Sequence, residues 1–175
     1  MRRLVSGVIA GCFVFIGVTF AQAGGEHDMK PYSGSPEFER MKTLAGKWEG
    51  TGMMEGKEEK IDVEYAVTSG GSTVVEKLSP GTPHEMVTTY YDEGGKLAMT
   101  HYCMLANRPH MKLTSEDKDK IALVMADDPL IDPNSMHMHA LTITFTDADH
   151  ISQDWQNYLD GKSGEHSVFN FARVK

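Results

Sequence analysis

This sequence predicts an all-β fold, an antiparallel up-and-down β-barrel of about ten strands with a short N-terminal helix. From Lys47 onward, apolar residues recur at every second position rather than at helical spacing. Turn-forming residues interrupt that pattern at intervals of roughly 8 to 14 positions, as in an antiparallel meander. Ten short strands in one open sheet would leave two unpaired margins, and closing the sheet into a barrel removes both.

The chain has 175 residues, 40% apolar and 24% charged, the balance of one compact domain. Met1-Arg2-Arg3, the apolar run from Leu4 to Phe20 and Ala21-Gln22-Ala23 follow the three-part order of a secretory signal peptide. Residues 1–23 are therefore expected to be removed and the protein exported, to the periplasm or beyond. Ile9-Ala10-Gly11-Cys12 looks like a bacterial lipobox, but it would leave apolar Phe13 to Phe20 where a polar tether is needed. Losing Arg2 and Arg3 moves the formal net charge from −8 to −10. Such a surface disfavours nucleic acid and, after cleavage, anionic membranes. Only Cys103 then remains, so no intramolecular disulfide is expected.

Residues 24–34 are polar and glycine-containing and read as a flexible tether; the barrel domain is assigned to 35–175. Ser35 caps and Pro36 opens the helix, Phe38, Met41 and Ala45 share a face, and Gly46 ends it. Strands are expected at 47–54, 59–68, 72–78, 85–91, 96–104, 109–114, 120–126, 136–146, 150–158 and 165–174. The clearest is the run from Ile61 to Val67, whose odd positions face a core and whose acids face water. Between them lie turn signals such as Ser69-Gly70-Gly71, Asp92-Glu93-Gly94-Gly95 and Asp160-Gly161. The one long connection, 127–134, is too proline-rich for a strand and reads as a lid or short helical turn. Its Asp127, Asp128 and Asp132 lack the alternating spacing of a calcium loop.

Gly46-Lys47-Trp48, a Gly-x-Trp placed between the helix and the first strand, resembles the opening motif of lipocalins and of the related fatty-acid-binding and nitrobindin-like barrels. The resemblance implies that Trp48 closes one barrel end with Arg173 of the last strand packed over it. Nitrobindin-like barrels bind haem through a histidine near the C-terminus, which here would be His166; its parity, shared with Val168 and opposed to Phe169 and Phe171, turns it away from the core. The stretch from Met86 to Met111 looks like a group of exported bacterial proteins of unknown function, which implies no activity.

Strand parity selects the polar residues of the interior. His101 and Cys103 share a face with Leu97 and Met99, His137 and His139 with Leu141, Ile143 and Phe145, and Gln153 and Asn157 with Trp155. An apolar cavity with these polar groups is expected to bind a small apolar molecule, oriented by His101, His137, His139 and Gln153. Two alternatives use the same residues. The histidines, repeatedly next to methionines as in Met136-His137-Met138-His139, are suitable ligands for copper or haem iron. The other is a barrel enzyme with His101 as general base, although G-x-S-x-G, H-E-x-x-H, phosphate-loop and C-x-x-C patterns are all absent. No catalytic residue, cofactor or oligomeric state is assigned at this level.

Overall fold

The computed structural model describes residues 30–54 and 57–175. The signal-peptide reading of 1–23 and the first part of the tether lie outside them. The last part of the tether is held in place: Tyr32 N–H donates to the Gly70 carbonyl at 2.9 Å, and Lys42 Nζ donates to the Tyr32 carbonyl at 2.7 Å.

Helix α1 (Pro36–Lys42) begins where Ser35 Oγ accepts from Phe38 N–H at 3.2 Å. Ten strands follow: β1 (Gly46–Met54), β2 (Lys57–Thr68), β3 (Thr73–Leu78), β4 (Met86–Glu93), β5 (Lys96–Tyr102), β6 (His110–Glu116), β7 (Lys120–Met125), β8 (His137–Phe145), β9 (His150–Leu159) and β10 (Lys162–Arg173). Each pairs antiparallel with its sequence neighbour, and β1 pairs with β10, so the barrel is closed. The closing register sets Trp48 opposite Arg173 and Gly52 opposite Phe169. Gly50 and Gly52 allow this seam, because a Cβ at Gly52 would overlap the Phe169 ring and one at Gly50 the Asn170 carbonyl.

α1 caps one end. Phe38, Met41 and Leu44 are buried against the interior, and Trp48 Nε1 donates to the Leu44 carbonyl at 2.8 Å. Asp92 of β4 fixes the helix start, accepting from Ser35 N–H and Ser35 Oγ at 2.7 Å each. Arg173 lies 4.2 Å over the Trp48 ring, with Nη1 donating to the Ala45 carbonyl at 2.9 Å and Nη2 to the Thr43 carbonyl at 2.8 Å. Inside, alternate residues such as Ile61 and Val63, Leu141 and Ile143, and Phe169 and Phe171 form one continuous core. Each fully buried aliphatic or aromatic side chain contributes about 1.5–3 kcal/mol of transfer free energy.

The 127–134 connection folds as two tight turns rather than a helix. Asp128 Oδ1 accepts from Leu130 N–H and Asp132 Oδ1 from Asn134 N–H, both at 2.9 Å, so these acids cap backbone groups. Ile131 pins the connection by burial.

Candidate functional site

The barrel end opposite α1 holds a cavity of about 180 Å³. Met53, Leu78, Met86, Met138 and Phe169 supply an apolar wall, and His101, Cys103, Trp155 and Ser167 complete it. Four of these strand residues, Met53, Leu78, Met86 and Met138, sit at strand ends around the mouth, where methionine adapts to an irregular space. His101, Trp155 and Phe169 come from within their strands and lie further in.

Beneath the cavity is a buried polar network. Gln153, fully buried on β9, donates through Nε2 to Tyr65 Oη at 2.6 Å and to Glu76 Oε2 at 2.7 Å, while its Oε1 accepts from Trp155 Nε1 at 2.9 Å. Tyr90 Oη donates to the same Glu76 oxygen at 2.9 Å. Thr88 Oγ1 lies 3.4 Å from Glu76 Oε1 and 2.9 Å from His101 Nδ1. Burial pushes the Glu76 carboxyl above its usual range, against the lowering effect of the donors from Tyr65, Tyr90, Gln153 and Thr88. Tyr65 and Tyr90 are raised well above the ordinary phenol range by burial and by Glu76, so both remain hydrogen-bond donors. His101 is 2% exposed, its ring centroid 4.6 Å from that of Trp155, and burial lowers its imidazole to about 4. It is a neutral ring at physiological pH. Cys103 lies just past β5, and burial raises its thiol, which keeps it protonated rather than nucleophilic.

The structure brings together His101, Cys103, Gln153 and Trp155, three around the cavity and Gln153 in the network below it. It does not bring in His137 and His139. β8 carries an extra residue between Met138 and Ala140, which shifts the parity upstream of Leu141. Met138 therefore faces the cavity, paired with Asn157, while His137 pairs with Tyr158 and, although 2% exposed, does not line the cavity. His137 Nδ1 meets the Ser135 carbonyl at 2.8 Å, its Nε2 lies 3.3 Å from His139 Nδ1, and the His139 ring stacks on Tyr158 at 3.7 Å. Burial and, second, His137 hold the His139 imidazole below its ordinary value. Asn157 keeps inner parity, but its carboxamide is set against Gly164 of β10, where a Cβ would collide with it, and it does not line the cavity.

Glu76, Thr88 and Tyr90 escape a reading by hydrophobic alternation, because polar side chains are assigned to solvent by default. A signal exists: Glu76 shares parity with Val74 and Leu78, and Lys77 lies opposite.

A closed ten-strand barrel fits a calycin-like fold. No family model matches the chain, and no curated protein matches it. It is similar in structure to a protein of unknown function from the DUF3598 family of Nostoc punctiforme, with a TM-score of 0.54 at 13% identity over 77% of this chain and 49% of that one. The chain thus spans about half the length of the Nostoc protein. It is also similar to Rv2717c from M. tuberculosis, with a TM-score of 0.53 at 16% identity over 82% of this chain and 100% of that one. At these identities the likeness shows the fold alone.

The haem arrangement implied by the nitrobindin-like resemblance does not fit these residues. His166 is on the outer face, half-exposed, with Nδ1 2.7 Å from Asp154 Oδ1 and Nε2 3.0 Å from Gln156 Nε2.

Proposed function

We propose that this protein is exported and reversibly holds a small, largely apolar molecule in the barrel cavity, with the ligand's polar end on His101. The carrying observation is an apolar-walled space in which one imidazole nitrogen is anchored from behind by Thr88, leaving the other as the convergent polar group. A cavity on the order of 150 Å³ lined by apolar side chains accepts benzene, so about 180 Å³ suits a single substituted ring or a short branched chain. The signal-peptide pattern of residues 1–23 supports export.

Native mass spectrometry of the protein from its own cell envelope, without added ligand, tests both parts. The expected result is an N-terminus at Gly24 and an added organic mass that is lost in Ser167→Leu, which fills the cavity from β10. An unprocessed N-terminus would sink the export reading. An empty protein that also fails to take up toluene in solution would sink the binding reading.

Copper binding retains only the adjacent His137–His139 pair. Two nitrogens are an incomplete coordination sphere, and among the described residues no group of three or more His, Cys, Asp or Glu side chains is placed to hold a metal.

A further inference from the structure

We infer that the ligand carries a hydrogen-bond donor, an O–H or N–H on an otherwise apolar body the size of one ring, selected by a hydrogen-bond chain running from Trp155 through Gln153, Glu76 and Thr88 to His101. This rests on the cavity-binding reading and adds the chemistry of the head group.

The direction of the chain follows from what each group is able to do. An indole N–H only donates, so Trp155 fixes Gln153 Oε1 as acceptor and turns both amide hydrogens of Nε2 toward Tyr65 and Glu76. Glu76 Oε2 receives two donors, from Gln153 at 2.7 Å and Tyr90 at 2.9 Å, and so acts there as an acceptor. The other carboxylate oxygen faces Thr88, across the longest link of the chain at 3.4 Å. Thr88 has a single hydroxyl hydrogen. Directed at Glu76, it leaves only lone pairs for His101, which must then present Nδ1–H across 2.9 Å. A neutral imidazole carries one N–H, so Nε2 is a bare lone pair, and no described side chain bonds it. A ligand with a donor pairs with that nitrogen; one without leaves it desolvated and unpaired, a difference of about tenfold or more in affinity.

Phenol and anisole test this, since they share an aromatic body and differ in the hydroxyl hydrogen. In long-range ¹H–¹⁵N spectra of the labelled protein, His101 is expected to show its proton on Nδ1. Calorimetry is expected to show phenol binding at least about tenfold more tightly than anisole. Thr88→Val, which removes the acceptor and keeps the shape, is expected to populate the Nε2–H form and bring the two affinities together. A proton on Nε2 in the unaltered protein, or anisole binding as tightly as phenol, would overturn the inference while leaving the cavity reading intact. Failure of both probes to bind would instead remove the cavity reading, and this inference with it.

Discussion

Trp155 Nε1 donates to Gln153 Oε1 across 2.9 Å, and both residues lie on the inner face of the same strand, two positions apart. That contact orients the amide that supplies Tyr65 and Glu76 from β9, joining strands that are far apart in sequence.

Gln153→Leu is therefore expected to cost far more than its side chain's size suggests. It leaves Trp155 N–H without its acceptor and removes one of the two donors on Glu76 Oε2, a loss of about 3 kcal/mol. Trp155→Phe, which leaves only Gln153 Oε1 unpaired, is expected to cost about 1–2 kcal/mol in excess of its packing change. Urea unfolding with an unchanged m-value checks both. Equal, small losses would show that water satisfies the network.

Acid is expected to weaken the fold through His101. The unfolded chain binds a proton below the ordinary value of 6.5, whereas the folded protein refuses it until about 4. The stability that comes from neutral His101 is thus complete above 6.5 and is lost as pH falls toward 4, by up to about 3 kcal/mol. Glu76 has the opposite sign: its raised carboxyl makes a contribution that is complete below the ordinary 4.5 and fades as pH rises through the folded value. Between pH 7 and 4 the wild type should lose about 3 kcal/mol more than His101→Gln, and parallel profiles would assign the acid sensitivity elsewhere.

At the closed end, Arg173→Lys is expected to lower stability by about 2 kcal/mol despite keeping the charge. Lysine lacks the planar fork that reaches both the Ala45 and Thr43 carbonyls while covering the Trp48 ring. A melting temperature within a degree of wild type would show that packing of α1 alone closes this end.

The double substitution His137→Ala and His139→Ala is expected to leave toluene or phenol affinity within about twofold, because both rings pack beside Tyr158 and neither lines the cavity. A loss comparable to that of Ser167→Leu, measured by calorimetry, would put the histidines in the binding site.

Much of this architecture was legible in sequence because alternation, capping and turn chemistry act over a few residues. Ser35-Pro36 open α1 as expected, but the helix stops at Lys42 with Thr43 as its C-cap, so Leu44 rather than Ala45 is buried and Gly46 begins β1. The strand runs from 47 onward match β1 to β10 with end shifts of a few residues. β5 is one such case: it stops at Tyr102, and Cys103 N–H instead donates to the Asn107 carbonyl at 3.2 Å in the following turn. Parity also placed His101, Gln153 and Trp155 on the inner face, since no irregularity interrupts the middle of their strands.

What the sequence determined by itself was the period-two strands, the capped helix and the inward set that follows from uninterrupted alternation. The tertiary structure alone decided three things: the turn of His137 and His139 away from the cavity, the retreat of Asn157 against Gly164, and the set of donors around Glu76. A bulge adds one residue to one strand relative to its neighbour, so it exists only in the pairing and leaves no mark on local periodicity. A buried carboxylate is tolerable only when donors reach it, and those of Glu76 come from β2 and β4, which flank its own strand, and from β9, which reaches it only across the closed barrel.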